Sequence, residues 1–377
     1  MTYDAIVLGA GGMGSAALAH LAGRGARVLG LERYTIPHAF GSSHGLTRII
    51  RLAYAEHPDY VPLLRRSYEL WRELERSVGE RLLFVTGGVD AGPRDSAIVS
   101  GSLEACRRHD LPHELLDAAA LKRRTPGFHL PPQFVAVYQP DAGFVRAERG
   151  VVAHASLARR LGAEIHEQER AVAWEADGGV VRVRTDRQAY TAAALIVTAG
   201  PWSSAIAPEL QRLATPERQV VLWTSPRSPE LFRAGAFPVF YMETDHGRFY
   251  GIPSHDASGF KIGKYHHRRE RVDPESADRE CHPEDEAVLR EAIRRYFPDA
   301  DGPTLEMQAC LFTNSPDEHF IIDRHPAAPN VVVAAGFSGH GFKFCPVVGE
   351  VLADLALEGG TPHGISLFAW NRPALKL

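Results

Sequence analysis

The sequence has few features that would place the protein in a membrane, on nucleic acid or in an oxidising compartment. Its four cysteines, Cys106, Cys281, Cys310 and Cys345, show no CxxC spacing, which excludes a zinc ribbon and disfavours a disulfide scaffold. No apolar run approaches the roughly 20 residues that span a bilayer, and the N-terminus does not resemble a signal peptide. The net charge of -4 offers no basic surface for nucleic acid. We therefore expect a cytoplasmic protein without membrane, nucleic-acid or metal partners.

The first 32 residues have the pattern of a strand, a glycine turn, a helix and a second strand. The turn consists of Gly9, Ala10, Gly11, Gly12, Met13 and Gly14. Glycines at this spacing allow a tight turn and a close approach of a pyrophosphate, and the following helix N-terminus stabilises the phosphates. Glu32, which ends the second strand, stands where an acidic residue binds a ribose hydroxyl. The unit predicts a dinucleotide site.

Two later segments also run from an apolar strand into glycines. AALIVTAGPW (193–202) contains Gly200, and NVVVAAGFSGHGFKF (330–344) contains Gly339 and Gly341 and precedes a helical pattern over 345–359. Three such junctions suit a long ligand that crosses several strand ends, which favours FAD over NAD. The alternative is that the last glycines only form a turn.

The remaining segments mix helical and alternating patterns. Helices are predicted over 60–79, 151–168 and 284–297, and the aromatic-rich runs between 218 and 310 predict strands. We predict an α/β fold in which a β-rich substrate domain is inserted into a Rossmann-type FAD-binding domain. The predicted FAD-binding domain comprises 1–82, 143–216 and 318–377, and the substrate domain comprises 83–142 and 217–317.

The loop GSSHGLTRIIR (41–51) concentrates polar and cationic side chains beside two isoleucines. Arginines in such a setting are costly to bury without an anion, and their planar guanidinium groups suit a carboxylate. The alternative is a set of surface ion pairs.

These motifs resemble the monomeric sarcosine oxidase and N-methyltryptophan oxidase family, within the D-amino-acid-oxidase-like flavoproteins. The resemblance covers practically the whole chain and is most specific in GSSHGLTRIIR, FYGIPS, GFKIGKYHH, ACLFTNSPDEHFIID and AAGFSGHGFKF. It implies that Cys310 is bonded through sulfur to the 8α-methyl carbon of FAD, whereas Cys345 does not match the tether. It also implies that Lys261 faces the flavin on the side where oxygen reacts.

The resemblance further implies a substrate site. Arg51 and Lys343 match the cations that hold the substrate carboxylate, and Arg48 and Tyr250 match residues close to substrate and flavin. His266 matches the active-site histidine if Lys264 is an insertion, and His267 is the alternative. The expected FAD contacts are Gly9, Ala10, Gly11, Gly12, Met13, Gly14, Glu32, Arg33, Ser42, Ser43, His44, Thr47, Arg48, Val172, Gly200, Trp202, Cys310, Gly339, Gly341, Phe342 and Lys343.

The implied activity is the oxidation of sarcosine or a similar N-methyl amino acid by a monomeric enzyme, with oxygen reduced to hydrogen peroxide. Two positions depart from the family pattern. Leu46 replaces an aspartate and Phe312 replaces a tyrosine, so the substrate preference is open. Alternatives within the family are a fructosyl amino acid, N-methyltryptophan or cyclic imino acid (pipecolate or proline) oxidase. An alternative of another class is a flavin dehydrogenase that passes electrons to a protein partner.

Overall fold

A computed structural model describes residues 2–376. The strands are β1 Thr2–Leu8, β2 Val28–Leu31, β3 Thr47–Ile50, β4 Leu83–Val85, β5 Gly88–Pro93, β6 Glu114–Asp117, β7 Phe134–Gln139, β8 Gly143–Arg146, β9 Glu164–His166, β10 Ala171–Asp177, β11 Val180–Thr185, β12 Ala189–Val197, β13 Thr215–Thr224, β14 Val239–Thr244, β15 Gly247–Ile252, β16 Phe260–Lys264, β17 Glu270–Arg271, β18 Thr304–Asn314, β19 Ile321–His325 and β20 Ala328–Ala335. The helices are α1 Gly12–Gly23, α2 Tyr60–Val78, α3 Ala97–Arg108, α4 Ala118–Arg124, α5 Ala147–Arg160, α6 Ser203–Ile206, α7 Pro229–Phe232, α8 Pro283–Tyr296 and α9 Cys345–Leu357.

An eight-stranded sheet is built around a parallel core in the order β9-β2-β1-β12-β20. The strands β10, β11 and β19 add antiparallel pairs at its margin. Helix α1 is buried along most of its length and packs between α5 and α9 on this sheet. An apolar helix joining two parallel strands is the arrangement that the N-terminal pattern predicts, and the α/β fold class is confirmed.

A nine-stranded sheet carries a second hydrophobic core. Its order is β17-β13-β16-β15-β14-β5-β7-β6, with β18 paired to β13. The core contains a cluster of phenylalanine rings: Phe128, Phe232, Phe237, Phe240, Phe260 and Phe297. Nearly all of these strands lie within 83–142 and 217–317, the segments predicted to form the substrate domain, and only β13 begins earlier, at Thr215. A three-stranded sheet has the order β3-β8-β4, and the loop that precedes β3 enters this sheet at Thr47.

One predicted helix is shorter than its sequence pattern. The pattern extended over 151–168, whereas α5 begins at Ala147 and ends at Arg160. Gly162 has a φ of +98°, a conformation that glycine adopts at little cost and that ends helices, and the backbone N–H of Ala163 donates to the carbonyl of Ala158. The chain then enters the short strand β9. None of the helices within residues 2–376 is long and apolar enough to cross a bilayer.

Candidate active site

A large cavity forms a cleft at the carboxyl ends of the parallel strands. Gly9 follows β1, Glu32 follows β2, Thr198 follows β12 and Gly336 follows β20, and all four residues line the cleft. Parallel strands end at the same edge of a sheet, which is where open α/β sheets bind their ligands.

The glycine turn leaves the N-terminus of α1 open to this cleft. Gly9 has a φ of +90°, and a Cβ atom there would lie 2.6 Å from the carbonyl oxygen of Thr198. A Cβ on Gly14 would lie 1.8 Å from the carbonyl oxygen of Gly9, so helix and turn touch directly. A Cβ on Gly11 would meet only Ser43 Oγ, at 3.6 Å. The space in front of the helix is therefore free for a phosphate group.

Glu32 is held at the end of β2 by backbone donors. The N–H of Ala10 donates to Oε2 at 2.8 Å, and the N–H of Tyr34 donates to Oε1 at 2.9 Å. Burial raises the pKa of the Glu32 carboxyl, while these backbone N–H groups oppose the rise. A carboxylate fixed in this way is positioned to accept hydrogen bonds from ribose hydroxyls.

Most of the predicted cofactor residues line this cleft. They are Gly9, Gly11, Gly12, Met13, Glu32, Arg33, Ser42, Ser43, Arg48, Val172, Gly200, Trp202, Gly339, Gly341 and Phe342. Three predicted residues line neither cavity: Ala10, Gly14 and His44. The backbone of Ala10 binds Glu32, and Gly14 packs against the carbonyl of Gly9. The His44 ring lies beside Gln308. Sequence reasoning did not predict Tyr34, His38, Arg170, Thr198 and Thr313 as cofactor contacts. Thr198 and Thr313 lie in AALIVTAGPW and ACLFTNSPDEHFIID, two segments that it singled out, whereas the other three residues lie in no such motif.

The smaller pocket adjoins the cleft. Arg48, Phe312, Gly339 and Phe342 line both cavities, so these residues form the shared boundary. The pocket has a volume of about 70 Å³ and its walls include several aromatic rings. Of the residues predicted from the sequence, it also contains Thr47, Arg51, Tyr250, Cys310 and Lys343.

Arg51 is a buried cation in the pocket wall. Its guanidinium lies over the rings of Tyr54 and Tyr241, at 4.6 and 5.2 Å from their centroids. Nη2 donates to both carboxylate oxygens of Glu56, at 2.8 and 2.9 Å. Burial alone would lower the pKa of Arg51, but Asp90 and Glu56 raise it above its ordinary value. The guanidinium is therefore charged and fixed in its plane, with Nη2 on the side of Glu56, another pocket residue.

Lys343 is a second buried cation in the same pocket. Its Nζ donates to the carbonyl of His340 at 2.7 Å and to the hydroxyl of Tyr54 at 3.3 Å. Burial and then the charge of Arg51 lower the pKa of Lys343 to about 7. Lys343 forms no ion pair with a carboxylate anywhere in residues 2–376. A buried ammonium group without a carboxylate partner stabilises an anion that enters the pocket.

Two more cations, Arg48 and Lys261, bind backbone carbonyls at the start of β3 and in the loop before it. Arg48 donates to the carbonyls of Thr47 and Ser42, at 2.9 and 3.1 Å. Lys261, on β16, donates to the carbonyls of Gly45 and Thr47, at 2.6 and 2.9 Å. Lys261 is almost fully buried, and burial lowers its pKa well below the usual lysine value. Lys261 does not line either cavity and instead contacts the backbone of the loop.

Tyr265 occupies the pocket wall where the sequence placed His266. The Tyr265 ring lies 5.4 Å from that of Phe312, and its hydroxyl donates to the carbonyl of Ser338. His266 has a φ of +55° and lies between Glu217 and Glu318, at 2.9 and 2.8 Å. Burial opposes protonation, yet these hydrogen bonds raise the pKa of His266 to about 9.

The structure therefore does not bring His266 to the pocket, in contrast to the expectation from an insertion at Lys264. Residues 260 to 264 continue as a regular strand, so the first residue after β16 is Tyr265. An alignment without the insertion would have placed Tyr265 at this position. His267, the alternative, is buried against Asp285 of α8, where its Nε2 lies 3.1 Å from the carboxylate.

Known proteins with similar sequences and a similar fold identify the family of this chain. The profile of the FAD dependent oxidoreductase family matches residues 4–355. The chain belongs to this family. It is 47% identical to a monomeric sarcosine oxidase of Streptomyces avermitilis, over 99% of this chain and 98% of that protein. It is 37% identical to an N-methyl-L-tryptophan oxidase of Salmonella heidelberg, over 96% of both chains.

A solved structure shares the fold. NikD, described as an unusual amino acid oxidase essential for nikkomycin biosynthesis, superposes in its open form with a TM-score of 0.85. The two chains are 26% identical, and the match covers 98% of this chain and 97% of NikD. These similarities confirm the predicted family and the predicted fold of a Rossmann-type FAD-binding domain with a substrate domain.

The cleft residues fit FAD. The open glycine turn can hold the pyrophosphate and Glu32 the ribose, as already described. Thr313 Oγ1 is buried, lines the cleft and has no hydrogen-bond partner among the described residues, so it is free to bind a polar group of the cofactor. FAD carries the redox chemistry of this family. The adjoining pocket can then place a carboxylate-bearing substrate beside the cofactor.

Proposed function

We propose that the protein oxidises the N-methyl group of sarcosine, or of a similarly small N-methyl amino acid. Sarcosine, water and oxygen would yield glycine, formaldehyde and hydrogen peroxide. The observation that carries the proposal is that Arg51 and Lys343 both line a small pocket that shares a wall with the FAD cleft. The names of the related sarcosine and N-methyltryptophan oxidases support the same reaction class.

The two cations would orient the substrate in the pocket by binding its carboxylate. A carboxylate bound by Arg51 and Lys343 receives charge-assisted hydrogen bonds from two directions, which fixes the rest of the amino acid. Bound FAD supplies the acceptor for the two electrons that leave the amine and its carbon. Tyr241, Tyr265 and Phe312 line the remaining space with aromatic rings, which favours the apolar part of the substrate over water there.

The size of the pocket favours a small substrate. Its volume is about 70 Å³, and a flavin bonded to Cys310 would take part of that space, so little room is left for a large substrate side chain. The side chain of N-methyltryptophan and the sugar of a fructosyl amino acid are much larger. Cyclic imino acids such as proline are only slightly larger than sarcosine, so oxidation of a cyclic imino acid is the second candidate.

The attachment of FAD through Cys310 belongs to the proposal. Cys310 lies on β18 opposite Gln219 of β13, is buried, and lines the substrate pocket. Burial raises the pKa of its thiol, while Arg48 and Lys261 oppose the rise. Cys345 lines the larger cleft, but its sulfur fills the space beside Gly12, where a Cβ would lie 2.6 Å from Sγ. This packing role supports Cys310 as the tether.

We further infer a monomeric enzyme of a reducing compartment such as the cytoplasm. The word monomeric in the names of the related sarcosine oxidases supports the first point. The second is supported by the four cysteines, none of which pairs with another cysteine in a disulfide.

A substrate panel tests the proposed function. Peroxide formation would be measured with sarcosine, N-methylalanine, proline, pipecolate, N-methyltryptophan and a fructosyl amino acid. Sarcosine or N-methylalanine should give the highest kcat/KM. Reduction of the enzyme by sarcosine without peroxide release, but with transfer to an artificial electron acceptor, would instead indicate a dehydrogenase.

Replacement of Arg51 by methionine is expected to raise the half-saturating concentration of sarcosine. Loss of a charge-assisted hydrogen bond costs about 1.5–3 kcal/mol, or roughly 10- to 150-fold in affinity. Sarcosine amide, which lacks the negative charge, should bind poorly to the wild type and change little in the variant. Steady-state kinetics with both ligands measure the difference, and the exposed Arg76→Met on α2 serves as a control.

Arg51→Met also leaves Glu56 and Asp90 without their cation, which can destabilise the fold. The double variant Arg51→Met/Glu56→Gln removes one of these charges and should show the same discrimination between ligands. Equal losses for sarcosine and its amide in both variants would mean that Arg51 only supports the fold.

A further inference from the structure

A buried carboxylate lies behind the proposed substrate clamp and outside both cavities. Asp90, on β5, is 1% exposed. Its Oδ2 accepts hydrogen bonds from Ser102 Oγ of α3 at 2.6 Å and from Gln139 Nε2 of β7 at 3.0 Å. A carboxylate this buried is costly unless it is paired, so its position requires an explanation.

The partner of Asp90 is the clamp arginine. Asp90 Oδ2 lies 3.5 Å from Arg51 Nη1, on the side of the guanidinium opposite the Nη2 contacts with Glu56. Nη1 already has a short hydrogen bond, at 2.6 Å, to the carbonyl of Ala53. The guanidinium geometry is therefore fixed by Ala53, Glu56 and the two tyrosine rings, and Asp90 acts on Arg51 mainly through its charge.

The charges next to Arg51 largely offset one another before a substrate arrives. Arg51 and a protonated Lys343 provide two positive charges, Glu56 and Asp90 provide two negative charges, and Arg48 adds one positive charge at the edge of the same pocket. An incoming carboxylate adds a third anion to the cluster. In a buried setting, this repulsion is felt more strongly than in water.

We propose that Asp90 is a positioning residue that acts through Arg51 and limits how tightly the clamp holds the substrate carboxylate. The inference rests on the proposed function, because it takes Arg51 and Lys343 as the carboxylate site. By weakening the hold on a carboxylate, Asp90 keeps the clamp ready to release a product that has the same carboxylate as the substrate.

The titration of Asp90 gives the proposal a pH signature. Burial raises the pKa of Asp90 to about 6, against the opposing effects of Arg51, Ser102 and Gln139. The other charged and titratable groups around this cluster are Arg48, Tyr54, Glu56, Cys106, Tyr241, His340 and Lys343. As the pH falls, Lys343 gains its charge near pH 7 and Asp90 loses its charge near pH 6, and both changes should tighten carboxylate binding. The contribution of Asp90 is the part of the profile that disappears in Asp90→Asn.

Methoxyacetate is a suitable probe, since it resembles sarcosine in shape but has no amine to oxidise or titrate. Methoxyacetamide is its uncharged counterpart. Dissociation constants for the FAD-loaded enzyme would be measured between pH 5 and 8 by calorimetry. Asp90→Asn should bind methoxyacetate about 3- to 10-fold more tightly at pH 6.5, where Lys343 is mostly protonated and Asp90 of the wild type is mostly ionised, and should lose the step near pH 6. Methoxyacetamide should bind equally to both proteins.

Two variants control for structural effects. Asp95→Asn removes an exposed carboxylate just after β5 and should change nothing. Ser102→Ala removes a hydrogen bond donated to the ionised Asp90, so it should move the lower step to higher pH. If Asp90→Asn does not fold, the wild-type profile and the Ser102→Ala shift decide the question.

The possible outcomes separate this inference from the proposed function. Unchanged or weaker methoxyacetate binding in Asp90→Asn, or a wild-type profile without the lower step, would overturn the role of Asp90. Equal changes for acid and amide would also overturn it, because charge would not be involved. A wild-type enzyme that does not prefer methoxyacetate to methoxyacetamide would overturn the carboxylate clamp itself.

Discussion

Denatured Cys310→Ala protein is expected to release all of its FAD, whereas the wild-type protein should keep its yellow colour after acid precipitation. A thioether survives acid denaturation, but contacts made by the folded cleft do not. The variant should still bind FAD when folded, because the glycine turn, Glu32 and the loop after β20 do not depend on Cys310. Absorbance of the pellet and supernatant after precipitation measures both states.

Cys345→Ala is the matched control for the tether. Cys345 is also buried and lines the FAD cleft, so its loss should perturb packing at Gly12 but leave the flavin attached. Free FAD in the wild-type supernatant, or loss of attachment in Cys345→Ala alone, would refute the assignment of Cys310. Neither result would remove FAD from the cleft.

Lys261→Met is expected to slow the reaction of the reduced enzyme with oxygen by about 10²–10³-fold, the usual effect of losing one preorganised electrostatic contact. A buried ammonium stabilises negative charge as it develops on oxygen. Anaerobic reduction by sarcosine should change far less. Stopped-flow measurements of the two half-reactions separate these effects, and Lys264→Met on the same strand is the control.

The pH dependence of the oxygen reaction adds a second test of Lys261. Burial, reinforced by Arg48, lowers the pKa of Lys261, so its charged form is lost as the pH rises through that lowered pKa. The oxygen reaction of the wild type should therefore slow with rising pH, and the profile of Lys261→Met should be flat. The competing view is that Lys261 only holds the loop carbonyls of Gly45 and Thr47. In that case both half-reactions would fall together.

The sequence predicts the parts of the site that depend on local patterns. The glycine turn and Glu32 are separated by a single helix, so their spacing is enough to place them in the structure. Arg51 and Lys343 are far apart in the chain, and only the family resemblance predicted that they belong to one pocket. The structure brings them together because β3 and the loop before α9 meet at the shared boundary of the two cavities.

Other parts of the site depend on long-range packing that local patterns do not contain. Asp90 lies in a short strand, and nothing in the local sequence predicts its role. That role depends on its contacts with α3, β7 and Arg51, which form only in the folded protein. Glu56 likewise becomes relevant through its contact with Arg51. The prediction of His266 in place of Tyr265 was wrong for another reason. An insertion was assumed at Lys264, and this assumption shifted the residues that follow it by one position.

Oxidation of sarcosine labelled with ¹³C in its methyl group shows directly which carbon the enzyme oxidises. We expect the label in formaldehyde, with one glycine and one hydrogen peroxide formed for each oxygen consumed. Label found in methylamine, with glyoxylate as the other product, would show that the enzyme oxidises the α-carbon of sarcosine instead of its N-methyl group. No turnover of sarcosine together with rapid oxidation of proline or pipecolate would equally contradict the account.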